Sequence, residues 1–164
     1  MNMGIKRKAN RLTKYDYSQN GAYFVAICTK DHAQIFGKIP VGATVPGRPP
    51  VELTQLGTMI QDAIEYYNAN AKDFIFDHYV IMPNHIHAII VIMGEAGDRG
   101  RSPLQGIVRG LKAYVTKQAG FSPWQKSFND HIIRNEARYL MITEYIQTNP
   151  AKWAKDRYHP GEST

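Results

Sequence analysis

The sequence predicts an α+β fold: an antiparallel sheet in the order β-α-β-β-α-β, with helices on one face and an added C-terminal helix. Three observations lead there. Strand-like and helix-periodic apolar runs alternate along the chain. Two of the strand-like runs, "DFIFDHYVI" and Ile86 to Met93, are parted only by a short break around "MPN", which implies an antiparallel hairpin. The chain has 164 residues, 43% of them hydrophobic, which suits one domain around one sizeable core.

The elements follow in order. Residues 1–20 read as a basic, polar arm. "AYFVAICT" (22–29) is rich in aromatic and apolar residues and reads as a strand. "KIPVGATVPGRPPVE" (38–52) is dense in Gly and Pro and reads as a loop or an irregular hairpin. Leu53, Leu56, Ile60, Ile64 and Tyr67 recur at three and four residues, which predicts a helix over about 53–70. The hairpin strands occupy 73–81 and 86–93. "GEAGDRGRSP" (94–103) is a flexible loop. Leu104, Ile107, Val108, Leu111 and Val115 mark a second amphipathic helix that ends near Gly120. "WQKSFNDHIIR" (124–134) holds a short strand. "NEARYLMITEYIQTN" (135–149) is a third helix, closed by Pro150, with Asn135 or Asp130 to cap its start. The expected organisation is an arm (1–20), a single domain (21–158) and a tail (159–164). This order of elements is the ferredoxin-like arrangement, which serves many unrelated functions and decides none of them.

Composition narrows the classes. The net charge is +6 and the pI about 9.4, a moderate basicity that favours a polyanionic partner. Lys6, Arg7, Lys8, Arg11 and Lys14 crowd the start of the chain. Arg99, Arg101, Arg109, Lys112 and Lys117 form a second group. The lone cysteine, Cys28, excludes a disulfide framework and a multi-cysteine zinc site within one chain. A reducing cytoplasm is the compartment expected. No apolar segment of signal-peptide type follows the basic start, and the run 86–93 is too short to span a bilayer, so no membrane partner is expected.

"YVIMPNHIHAIIVI" carries the chemistry. His85 and His87 lie two apart on a strand and therefore point to one face, while Ile86 and Ala88 point to the other. If the helices pack on the Ile86 face, the histidines sit on the open face of the sheet. Two imidazoles side by side can share a divalent ion, or can be buried and hydrogen-bonded without one. His32, His78 and His131 have no partner at ligand spacing and read as structural or surface residues. The third helix offers Tyr145 and Asn149, an i, i+4 pair on one face. A tyrosine can be a covalent nucleophile, and an asparagine oxygen can be a ligand. Nothing local separates Tyr145 from Tyr139 or Tyr114.

"MPNHIHAIIVI", "IVRGLKAYVTKQAG", "WQKSFNDHIIRNE" and "EYIQTNPAKW", in this order and spacing, resemble the single-tyrosine HUH transposases. "NRLTKYDYSQNGAYFVAICTKDHAQIFG" resembles the start of their REP-associated branch, and the resemblance runs over roughly residues 7 to 158. It implies the fold reached above. It implies that His85, His87 and Asn149 bind Mg²⁺ or Mn²⁺, although Asn149 stands where Gln also occurs, and that Tyr145 is the nucleophile. The implied reaction cleaves and rejoins single-stranded, hairpin-bearing DNA through a 5′-phosphotyrosine, with no small-molecule substrate. The family includes dimers that exchange the tyrosine helix as well as monomers. Lys6, Arg7, Lys8 and Arg11 would then grip DNA as an arm. Arg109 and Lys112 would line a strand or hairpin path. Trp124, Phe128 and Tyr114 are candidates for stacking on bases.

Two other readings compete. One is a non-catalytic DNA- or RNA-binding module of the same fold. The other is a different metallohydrolase built on the histidine pair, which the sequence disfavours because no Asp or Glu stands at an obvious bridging position beside it.

Overall fold

The computed structural model describes residues 21–40, 51–93 and 103–161. Strands β1 (Ala22–Cys28), β4 (Phe74–Met82), β5 (His85–Ile92) and β6 (Asn129–Ile133) form one sheet in the order β4-β5-β1-β6. Every neighbouring pair is antiparallel. This is the ferredoxin-like order expected, with β5 and β1 in the centre. Strands β2 (Gly37–Lys38) and β3 (Glu52–Leu53) pair over two residues each. The Gly/Pro-rich segment therefore has hairpin-like ends, while residues 41–50 lie outside the described residues.

Helix α1 (Gln55–Asn70) begins where Thr54 accepts a hydrogen bond from the Gly57 N–H at 3.1 Å, the expected work of a threonine N-cap. Gly57 is required by packing: a Cβ there would lie 2.1 Å from the Phe36 carbonyl oxygen. Helix α2 (Pro103–Ala119) ends before Gly120, which has φ +83°, a conformation glycine adopts without strain. Helix α3 (Glu136–Thr148) is capped by Asn135, whose side chain accepts from the Arg138 N–H at 2.8 Å; Asp130 lies instead in β6.

The pleat sends alternate residues to two cores. Val25, Ile27, Ile86, Ala88 and Ile90 meet Ile60 and Ile64 of α1 and Val108, Leu111 and Val115 of α2. Ala22, Ile89 and Val91 meet Tyr139, Ile142 and Ile146 of α3 on the opposite face. The Tyr139 hydroxyl donates to Asp77 of β4, which ties α3 to the sheet. Among the described residues, no helix is long and apolar enough to cross a membrane.

One expectation changes here. The histidine face of the sheet is covered, not open. His85 and His87 are 0% and 1% exposed beneath α3 and the 3₁₀ turn Pro150–Lys155 with the residues after it. Pro150 ends the α-helix by removing a backbone donor, and the tighter turn folds the chain back over the sheet.

Candidate functional site

The register of β5 builds the site. His85 lies opposite Cys28 of β1, and His87 lies opposite Ala26. Directly opposed residues share a face, so two small side chains flank the imidazoles. The space they leave is filled by Tyr158, which packs with Ala26 and Cys28. The Tyr158 ring lies 4.6 Å from His85 and 5.8 Å from His87, centroid to centroid. The two imidazoles are 4.4 Å apart.

Hydrogen bonds assign their tautomers. Asn84, fully buried in the hairpin turn, donates its amide N–H groups to the Tyr158 carbonyl at 2.7 Å and the His32 carbonyl at 3.3 Å. That orientation turns Asn84 Oδ1 towards His85 Nδ1 at 2.8 Å, so Nδ1 carries the proton. Asn149 repeats the arrangement: its Nδ2 donates to Asp156 Oδ2 at 2.5 Å, which leaves Oδ1 to accept from His87 Nδ1 at 2.8 Å. Both imidazoles therefore keep an Nε2 lone pair. An amide or carboxylate that fixes Nδ1–H is a common support of a metal-binding histidine.

Burial keeps both rings neutral. It is the largest influence on His85, which is lowered to about 2 with the neighbouring His87 as the next cause. Burial also lowers His87, to about 4, against the opposing hydrogen bond from Asn149 and the charge of Asp156.

His85 Nε2 is buried with no hydrogen-bond partner. It lies 3.7 Å from Asp156 Oδ2, and both side chains are inaccessible to solvent. Two imidazole nitrogens and a carboxylate are donors of the kind that a divalent ion such as Mg²⁺ or Mn²⁺ takes. Among the described residues, no three His, Cys, Asp or Glu side chains are placed to hold a metal ion together.

Tyr145 stands at the edge of this group. Its ring is 40% exposed, lies 5.2 Å from His87 and meets Phe24 edge-on at 6.1 Å. Burial, then the charges of Asp156 and Tyr158, push its phenol above the usual tyrosine range, so it is protonated at neutral pH. The structure separates the three tyrosines. Tyr139 is 1% exposed and hydrogen-bonded to Asp77. Tyr114 lies on α2, which packs on the other sheet face.

Sequence reasoning missed Asn84, Asp156 and Tyr158. Asn84 had a signal, as the residue directly before the first histidine. Asp156 had none, because a 3₁₀ turn breaks the helical spacing beyond Pro150. The sequence shows no Asp or Glu at an obvious bridging position beside the histidines, yet the fold brings Asp156 Oδ2 to 3.7 Å from His85 Nε2.

The expected nucleic-acid contacts divide. Lys6, Arg7, Lys8 and Arg11 lie outside the described residues. Arg109 is exposed and lines a groove with Lys30, Lys117 and Lys126. Lys112 borders that groove but is half-buried, and its Nζ donates to the Gln125 and Ser127 carbonyls at 3.0 and 3.3 Å. Trp124 is 6% exposed, packs 5.3 Å from Phe36 and donates Nε1–H to the Lys112 carbonyl. Its ring belongs to the core and is not free to stack on a base. Phe128 packs against the same core, whereas Tyr114 is 45% exposed.

Known proteins bear on this arrangement. A protein of Haemophilus influenzae, itself described only as uncharacterized, is 34% identical over 180 aligned positions that cover 96% of each chain. A REP-associated tyrosine transposase of Escherichia coli is 30% identical over 87 positions, 51% of this chain and 50% of that one. The solved structure of the REP-associated tyrosine transposase bound to a REP hairpin superposes with a TM-score of 0.59 at 24% identity, covering 82% of this chain and 68% of that one. The chain belongs to one family with the Haemophilus influenzae protein, and over about half its length it is similar to a REP-associated tyrosine transposase. No family model matches the chain. The shared fold includes the antiparallel sheet on which the histidines stand.

Proposed function

We propose that the chain is a metal-dependent DNA strand transferase that acts on single-stranded, hairpin-bearing DNA through Tyr145. The observation that carries the reading is the Tyr145 ring 5.2 Å from His87, beside two imidazoles that each keep an Nε2 lone pair. A bound Mg²⁺ or Mn²⁺ would polarise the scissile phosphate as a Lewis acid and template. His85 and His87 would hold it, with oxygen from the Asn149 and Asp156 side chains within the same group.

Tyr145 supplies the nucleophile. Its oxygen forms a bond to phosphorus, the bond from phosphorus to the 3′ oxygen breaks, and the phenolic proton leaves for solvent or the departing oxygen. The products are a 5′-phosphotyrosine and a free 3′-hydroxyl. A second 3′-hydroxyl reverses the step and joins strands, because the phosphotyrosine retains the energy of the broken diester. The raised phenol pKa leaves Tyr145 a poor nucleophile without a polarised phosphate, which is why a metal belongs to this reading.

The groove of Lys30, Arg109, Lys117 and Lys126 gives the DNA backbone a path. Its His32 end stands 6.0 Å from Tyr158, which packs on both site histidines. A DNA hairpin as partner is supported by the solved relative, which is described as bound to one.

The test mixes the chain with labelled single-stranded hairpins from the flanks of its own gene and Mn²⁺ or Mg²⁺. A denaturing gel should show a covalent protein–DNA band that disappears with EDTA and in Tyr145→Phe. Salt-sensitive binding with no adduct on any cleavable hairpin would instead favour the non-catalytic DNA- or RNA-binding module.

A further inference from the structure

We propose that Asp156 is a direct ligand of the divalent ion, and that Asn149 acts one step back, holding His87 and Asp156 in place. This rests on the metal-dependent reading above and changes its ligand set.

The argument begins with the opposition of two acceptors. The Asn84 contact places the His85 proton on Nδ1, so Nε2 presents a lone pair. Nε2 lies 3.7 Å from Asp156 Oδ2, with both side chains out of solvent. The separation is too long for an N–H···O hydrogen bond. A buried nitrogen with no hydrogen-bond partner, set against a buried carboxylate oxygen beyond hydrogen-bond range, is a pair that a shared cation would satisfy. Donors that share an ion at about 2.1 Å each can lie up to about 4.2 Å apart, so the gap suits such an ion.

The rest of Asp156 is accounted for in the same way. Its Oδ1 accepts from the Tyr158 N–H at 2.8 Å, which aims the carboxylate. Its Oδ2 accepts from Asn149 Nδ2 at 2.5 Å and retains lone-pair capacity towards His85. Asn149 has both ends of its amide in use, one on Asp156 and one on His87 Nδ1. That is the placement of a group that orients ligands. A carboxylate also gives the site a formal negative charge that an amide does not, which favours a hard dication.

Isothermal titration of the full chain with MnCl₂ is the experiment, run on the wild type, Asp156→Asn and Asn149→Ala, with circular dichroism to confirm that each is folded. Asp156→Asn should weaken Mn²⁺ binding by more than about 100-fold, whereas losing an outer partner such as Asn149 costs about 10–100-fold. A second variant keeps the inference testable if Asp156→Asn is unstable. Asp156→Cys titrated with Co²⁺ should gain a thiolate-to-cobalt charge-transfer band, and Asn149→Cys should not. A band in Asn149→Cys alone, or Mn²⁺ affinity unchanged in Asp156→Asn, overturns the inference while the metal reading stands. A wild-type chain that binds no Mn²⁺ overturns both together.

Discussion

The two faces of strand β5 differ as sharply as any two parts of the molecule. Ile86, Ala88 and Ile90 enter an apolar core shared with α1 and α2. His85 and His87, one residue out of phase, enter a buried polar cluster closed by α3 and the turn beyond it. Both faces are nearly free of solvent. On one, burial removes apolar surface from water and stabilises the fold. On the other, burial strips water from imidazoles and a carboxylate, which costs free energy unless each polar atom finds a partner. His85 Nε2 lacks one. On the proposed reading, the unpartnered nitrogen in a closed site, next to a face packed so completely, is a place for a ligand and not a source of stability.

Substitutions on either side of the pleat should break that comparison cleanly. The largest effect is expected from His87→Ala, which should lower DNA cleavage by several orders of magnitude while the chain stays folded; cleavage gels and far-ultraviolet circular dichroism report the two. Undiminished cleavage would return the histidine pair to a packing role. Ile86→Ala, one residue away, should do the reverse. It should cost about 2–5 kcal/mol in urea unfolding and leave Mn²⁺ affinity of the folded chain unchanged.

The groove beside α2 sharpens the same distinction at smaller scale. Trp124→Phe removes the hydrogen bond to the Lys112 carbonyl, which the helix still engages, and should cost about 0.5–1.5 kcal/mol, with DNA affinity unaltered. Arg109→Ala should leave melting unchanged, weaken hairpin binding alike across sequences and reduce the salt slope of binding by about 1. A changed sequence preference in Arg109→Ala would mean that the arginine reads bases.

The sheet and the three α-helices among the described residues were legible because their signals are local. The period-3.6 run from Leu53 to Tyr67, the "MPN" break and Pro150 each act within a few residues. The paired histidines were legible too, since strand alternation fixes their shared face. The cover over that face was not. It depends on where a 3₁₀ turn carries the chain after Pro150, and no periodicity encodes the return of Asp156 and Tyr158 to the sheet. Trp124 was ambiguous for a different reason: an indole serves a core or a base equally well, and only the position of the Lys112 carbonyl decides. Tyr145 was distinguished from Tyr139 by resemblance alone, although α3 gives them opposite fates, one at the rim of the site and one bonded to Asp77.

That difference points to the most direct measurement. The adduct formed with a cleavable hairpin would be digested with trypsin and nuclease and sequenced by tandem mass spectrometry. Residues 139–152, "YLMITEYIQTNPAK", form a single tryptic peptide that holds both tyrosines. A nucleotide phosphate carried on Tyr145, with Tyr139 unmodified, is the predicted result. The phosphate on Tyr139, on a tyrosine elsewhere in the chain, or on no residue at all despite strand cleavage would contradict the account.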